Sequence, residues 1–290
     1  MTMISCKLCG GLGNQLFQIF TTIAYAIKYS KSFFFLNNSQ LGNGLNGSTI
    51  RYTYWNTFLS GLKPFLKDIN NIHQLMFLKE QNFKYKELPE NFETNSDTLL
   101  TGYFQSPKYF NNYRQTICEI LKIDLKRMIV KYKTQINIDN TSFKVSMHFR
   151  FGDYKKYPNV YPLLDHNYYN KALSHILNET NTVKLKKEII VLYFCEDESL
   201  TESENIIFYL KQSFPNIKFK RADNNLEDWE QMLLMSLCNH NIIANSTFSW
   251  WGAYLNSNID NIVCYPKQWF SIEANKDISD LFLEDWVPIS

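Results

Sequence analysis

The sequence predicts an α/β protein with parallel, doubly wound sheets in two domains. Three observations predict it. The second half alternates strand-like and helix-like segments at short, regular intervals. The chain opens on a strand, a glycine loop and an amphipathic helix. A polar stretch over residues 133–142 parts the two halves, which places the domains at 1–139 and 140–290. A length of 290 residues with 45% hydrophobic content supplies core enough for both.

In chain order, Met3 to Leu8 forms the first strand and Cys9-Gly10-Gly11-Leu12-Gly13 the loop. A helix follows from near Asn14 to about Tyr29, with Leu16, Phe20, Ile23 and Ile27 along one face. Asn14 is expected as its N-cap, because a short amide side chain can accept from the free amides of a first turn. Ser32 to Leu36 is a second strand, buried on both faces. The polar loop 37–49 holds a literal G-x-G-x-x-G at Gly42 to Gly47, discounted because no strand precedes it and no helix follows. Thr98 to Phe104 looks like a strand end and Tyr113 to Leu121 like a helix.

Beyond the boundary the alternation is regular. Strands are expected at Phe143–Phe149, Glu188–Phe194, Ile217–Lys220, Asn241–Ala244 and Asn261–Tyr265. Helices are expected at Asn167–Leu177, Thr201–Ser213, Glu227–Cys238 and Phe248–Leu255. Parallel sheets bind ligands beyond the carboxyl ends of their strands. Arg150, Glu196-Asp197 and Asn245-Ser246-Thr247 all follow strands and so project from that edge.

Arginine is scarce: five of the 30 basic residues, at 51, 114, 127, 150 and 221. Arg150 lies in His148-Phe149-Arg150-Phe151-Gly152-Asp153, and a guanidinium fork suits phosphate oxygens taken two at a time. A lone surface ion pair with Asp153 is the plainer reading of that segment, and convergence with the other loops at one sheet edge outweighs it. The hydroxyl-rich turn Asn245-Ser246-Thr247-Phe248-Ser249-Trp250-Trp251 opens a helix, whose free amides and hydroxyls make an anion cradle. An ordinary Ser/Thr N-cap is the plainer reading there. Gly10 to Gln15 is a second place for close backbone approach, in the other half, and suggests a ligand held in a cleft between domains.

Composition removes other classes. A net charge of +2 gives no reason to propose nucleic acid or a strongly basic membrane-binding surface. No apolar run reaches the ~18 residues of a membrane span, and the N-terminus shows no leader, so a cytoplasmic protein is expected. The six cysteines lie mostly in apolar runs, as buried thiols do, and Cys6 and Cys9 end a strand where a redox C-x-x-C would open a helix. Five Asn-x-Ser/Thr sequons begin at Asn37, Asn46, Asn140, Asn178 and Asn245, as chance allows in an Asn-rich chain. The five histidines lack metal-ligand spacing, and no Asp-x-Asp, nucleophile elbow or P-loop is present. A transferase built here would neutralise its leaving diphosphate with Arg150, amides and hydroxyls.

Four motifs in order carry a resemblance: Gly10 to Gln18, Gly102-Tyr103-Phe104-Gln105-Ser106, His148-x-Arg150-x-Gly152-Asp153-Tyr154, and Asn245 to Ala253. Together they resemble glycosyltransferase family 11, the α-1,2-fucosyltransferases of bacterial or viral type. Smaller matches at Tyr168-Tyr169, Phe194 to Asp197 and Leu234 to Cys238 extend the likeness from residue 5 to about 270. The resemblance implies two Rossmann-like domains in a glycosyltransferase B architecture with the donor cleft between them. The N-terminal domain would face the acceptor and the C-terminal one would bind GDP-fucose. It implies inverting transfer of L-fucose from GDP-β-L-fucose to the 2-hydroxyl of a galactose-terminated glycan, with no metal or other cofactor. A peripheral membrane contact is left open.

By the same resemblance Arg150 binds the donor phosphates, His148 lies beside the nucleotide, and Asp153 is the motif carboxylate that orients Arg150 or its loop. Gly11, Gly13 and Asn14 approach the donor, and Ser246, Thr247, Phe248 and Ser249 hold its phosphates, with Asp197 at the same edge. No general base is identified. Two positions depart from the family pattern. Phe151 stands where a second Arg is usual, and Gln231 where an acidic residue is, with Glu230 and Asp228 nearby. Either change would weaken donor binding or alter base preference. The competing readings are another donor or acceptor position, and a non-catalytic sugar-nucleotide or carbohydrate binder.

Overall fold

The computed structural model describes residues 2–42, 50–68, 74–90, 96–134, 142–180 and 187–290. Most of the discounted glycine-rich loop and the polar boundary stretch fall outside them, as does the sequon at Asn46. The chain divides into two units, one of Met1–Lys126 with Lys276–Leu283, the other of Arg127–Asn275 with Glu284–Ser290. The division thus falls before the stretch expected from the sequence, and a short late segment returns to the first unit.

The first unit starts with β1 (Met3–Cys6) and α1 (Leu12–Lys28). Its four-stranded sheet has the order β2-β1-β8-β7, with β2 at Ser32–Phe33, β7 at Leu75–Lys79 and β8 at Asp97–Thr101. All three pairings are parallel. The strand expected over Ser32 to Leu36 is broken at Phe34. Its first half pairs with β1, while β3 (Phe35–Leu36) leaves to pair with β6 (Leu66–Lys67). Phe34, buried, lies between the two halves, and its amide still donates to the Ile4 carbonyl of β1 at 3.0 Å. β4 (Gln40–Leu41) and β5 (Arg51–Tyr52) form a short antiparallel ribbon. α2 (Arg114–Ile120) and α3 (Ile123–Lys133) follow, and α3 carries the chain out of the first unit.

The second unit is a six-stranded sheet, every pairing parallel. It comprises β9 (Ser142–His148), β10 (Glu188–Phe194), β11 (Lys218–Arg221), β12 (His240–Ile242), β13 (Val263–Pro266) and β14 (Val287–Ile289). Helices α4 (His166–Glu179), α5 (Leu200–Ser213), α6 (Asp228–Met235) and α7 (Thr247–Tyr254) alternate with them. The strand order is β11-β10-β9-β12-β13-β14, which in the unit's own sequence is 3-2-1-4-5-6. That order reverses direction between β9 and β12, and ligands of doubly wound sheets bind in the crevice at such a switch point. β9 is central and buried at every residue, so its apolar run needs no alternation. Met147, Phe149, Tyr169, Leu173 and Ile207 build the core against it.

Candidate functional site

The switch point brings together the segments that leave β9, β10 and β12. Parallel register does most of the positioning. β10 pairs with β9 from Glu188↔Ser142 to Phe194↔His148. Continuing two residues past both strand ends sets Glu196 against Arg150. There one guanidinium nitrogen of Arg150 donates to Glu196 Oε1, and Nη2 donates to Asp153 Oδ1 at 2.6 Å. The Arg150 guanidinium also lies over the Tyr154 ring, 5.0 Å from its centroid. Tyr154 is anchored in turn, donating to the Asn245 carbonyl at 2.9 Å and stacking on Tyr161. Burial opposes the Arg150 charge, but the carboxylates of Glu196 and Asp153 more than offset it and hold its pKa above the usual value. Arg150 Nε, buried, meets no acceptor among the described residues.

Asp153 is thus one of the two carboxylates that hold the Arg150 guanidinium. Glu196, which the sequence placed at this edge without a partner, is the other. Its signal was available: it sits as far beyond the end of β10 as Arg150 sits beyond β9. Asp197 points elsewhere, to Arg221 at the end of β11, at 2.5 Å, and that ion pair lowers its pKa.

Gly152 is required by this arrangement rather than by its backbone angles. A Cβ built on it would lie 2.3 Å from Glu196 Oε2 and 2.8 Å from Glu198 Oε1. Gly152→Ala is expected to displace the Glu196 carboxylate, a flexible group, and loosen Arg150. Activity should fall about tenfold, the worth of one charge-assisted hydrogen bond of ~1.5 kcal/mol, with the thermal midpoint nearly unchanged. A matching loss of stability would place the role of Gly152 in folding instead.

At the end of β12 the turn enters α7 through Ser246, whose hydroxyl accepts from the Phe248 amide at 3.4 Å and so caps the helix. Ser249 Oγ donates to the Ser246 carbonyl at 3.3 Å. With that proton spent, Ser249 accepts from His148 Nδ1 at 2.9 Å, which assigns the proton to Nδ1 and leaves Nε2 as an acceptor. The hydroxyls of Ser246 and Ser249 are thus engaged within the protein. Phe248 adds a ring contact to His148, 5.5 Å between centroids. The turn offers the amide end of α7 more than a row of open hydroxyls.

His148 is buried, and desolvation, reinforced by Arg150, lowers its pKa to about 3. It is neutral at pH 7. Its folded pKa lies below the unfolded value of ~6.5, so the unfolded state binds more protons between those limits. Stability is then expected to be full above pH 6.5 and to fall as pH drops toward 3, by up to about 1.4 kcal/mol per pH unit from this group. Urea midpoints from pH 7 to 5 should show a shallower slope for His148→Gln than for the parent protein. Equal slopes would remove the effect.

Phe151 is buried in the core, near-parallel to Phe149 with centroids 6.4 Å apart. The residue next to Arg150 therefore serves packing. Gln231 donates to the Leu226 carbonyl at 3.1 Å, while buried Glu230 binds Lys133 at 2.7 Å and closes a capping box with Glu227 on α6.

In the first unit the residues of two motifs are laced together. α1 begins at Leu12 with Gly11 as its N-cap, so Asn14 lies inside the first turn and is not the cap. A positive φ of 80° at Gly10 lets the loop turn one step earlier than the sequence spacing suggests. Asn14 Oδ1 instead accepts from Gln105 Nε2 at 2.9 Å. Gln18 donates to the Gly102 carbonyl at 3.0 Å and Gln15 to the Gly10 carbonyl at 3.0 Å. Glu80 accepts from the Tyr103 and Phe104 amides at 2.7 and 2.9 Å, which secures the left-handed backbone at Phe104. Gly11 and Gly13 sit at the amide end of α1, with Arg51 Nη1 3.8 Å from where a Gly11 Cβ would stand.

A family model described as glycosyl transferase family 11 matches residues 62–290. The chain belongs to this family. It is a glycosyltransferase, as the ordered motifs implied. Over 98% of its length it is 28% identical to an Escherichia coli protein described as O-antigen biosynthesis glycosyltransferase WbnK, 99% of which is covered. It is 27% identical over its whole length to an Escherichia coli alpha-1,2-colitosyltransferase, again with 99% of that protein covered. Among solved structures, a mutant of Arabidopsis thaliana FUT1 in complex with GDP superposes at a TM-score of 0.48 with 10% identity, over 90% of this chain and 70% of that one.

Proposed function

We propose that this glycosyltransferase moves L-fucose from GDP-β-L-fucose to the 2-hydroxyl of a galactose-terminated glycan, with inversion and without a metal. One observation supports this most. A half-buried arginine, held by two carboxylates at the switch point of a 3-2-1-4-5-6 sheet, keeps a buried Nε–H donor with no acceptor among the described residues, at the same sheet edge from which α7 starts. That is a site for phosphate oxygens. Arg150 and the α7 amides would take the negative charge that builds on the departing diphosphate, as fixed donors do in a dry site. The bare Nε2 of His148 could accept one further hydrogen bond from the donor.

Incubation with GDP-fucose, lactose and EDTA should give fucosyl-lactose and GDP. No product across a panel of galactosides would overturn the fucosyl reading. A specific second reading comes from the relative described as an alpha-1,2-colitosyltransferase. Colitose is L-fucose without its 3-hydroxyl, so the same phosphate site would serve either donor. Competition between GDP-fucose and GDP-colitose for one acceptor separates them by kcat/KM.

A further inference from the structure

In the second unit β12 lies between β9 and β13, so the turn that leaves it has a loop on either side. Asn245 occupies that turn and is buried, at 1% exposure. Its Nδ2 donates to the Pro162 carbonyl at 2.9 Å, in the loop after β9. It also donates to the Trp269 carbonyl at 3.3 Å, in the loop after β13. Both acceptors are carbonyls, which fixes the amide's orientation, since only its NH2 group has hydrogens to give. Oδ1 meets no donor among the described residues, so what the side chain contributes there is its two donated bonds. Ser271 ties the same two loops again. Its amide donates to the Val160 carbonyl at 3.0 Å and its hydroxyl to the Asn159 carbonyl.

The loop after β9 also carries Tyr154, whose ring lies 5.0 Å from the Arg150 guanidinium and stacks on Tyr161 at 4.1 Å. Tyr154 Oη donates to the Asn245 carbonyl at 2.9 Å. Asn245 therefore grips this loop at two points, Tyr154 by its carbonyl and Pro162 by its amide. Glu196 and Asp153 hold the guanidinium by its nitrogens, while Tyr154 supports its face. The structure assigns Asn245 as a positioning residue for Arg150, acting through Tyr154 and the loop after β9. Its effect on sugar transfer rests on Arg150 as the phosphate ligand. A reacting or binding group misplaced by ~1 Å costs on the order of 10²-fold in rate.

Asn245→Ala should lower kcat/KM about thirtyfold in the parent chain but less than about threefold in Arg150→Ala, because two changes that act through one group do not add. An equal factor in both backgrounds would give Asn245 a general structural role and overturn the assignment. Should Asn245→Ala fail to fold, Tyr154→Phe keeps the ring and removes only the hydroxyl. It should show the same pattern at about tenfold. A crystal structure of either variant should show the guanidinium displaced by ~1 Å. An unmoved guanidinium overturns the assignment whichever donor the enzyme uses. Arg150→Ala alone tests the phosphate reading: if that variant stays active the reading falls, and the displacement still decides the role of Asn245.

Discussion

Replacing Arg150 by alanine should lower kcat/KM for sugar transfer by on the order of 10³-fold. The guanidinium is expected to give the diphosphate two charge-assisted hydrogen bonds, each worth about 1.5–3 kcal/mol. Phe151 turns its ring into the core, so no adjacent arginine can take over the charge. The loss should fall on kcat as well as KM, because the negative charge on the leaving group grows toward the transition state. Arg150→Lys should recover little, since an ammonium lacks the fork that Glu196 and Asp153 hold in place. Stability should change little. Both partner carboxylates are more than a third exposed, and solvent screens such pairs. Steady-state kinetics beside a thermal melt would check both statements. An alanine variant that keeps a tenth of the parent activity would show that Arg150 is not the phosphate ligand.

Trp250→Ala should have the largest effect on stability, about 3–5 kcal/mol. Trp250 is fully buried on α7 and packs on Trp251, Tyr254 and Trp286, with ring centroids 5.1, 4.9 and 5.4 Å away. Truncation leaves a cavity bounded by rigid rings that cannot collapse into it. A thermal midpoint lower by roughly 10 °C follows for a unit of this size. Because α7 carries Ser246 and Ser249 at its start, the variant should also lose the His148–Ser249 hydrogen bond and much of its activity. Trp250→Phe should restore most of the stability. Denaturant unfolding should place the change in the transition of the second unit, and a loss below 1 kcal/mol would mean that the rings repack.

Much of the second unit was legible in the sequence. Each expected strand and helix from Phe143 to Tyr265 exists, with ends shifted by a few residues. Strand and helix periods are local properties, and a parallel sheet writes its strands as short apolar runs between helices. The last strand, Val287–Ile289, went unread because three residues carry no period. The first unit was harder for the same reason. Five of its strands are two residues long or lie in mixed-polarity sequence, and Phe34 splits one apparent strand between two sheets.

The residues of the site divide in the same way. Arg150, Asp153, His148 and the turn at Ser246 stood out in the sequence because each follows a strand and carries its own chemistry. By itself the sequence determined the fold class, the strand ends from which the site residues project, and the family to which they belong. Tertiary structure alone decided who holds whom: Glu196 on Arg150 through register, Ser249 on His148, Gln105 on Asn14 where an N-cap was expected, and Phe151 turned into the core. It also decided which face of α3 meets water. Periodicity shows that a helix has two faces, but only packing selects the one that is buried, and here the buried face includes Lys126 and Arg127 beside Ile123 and Val130.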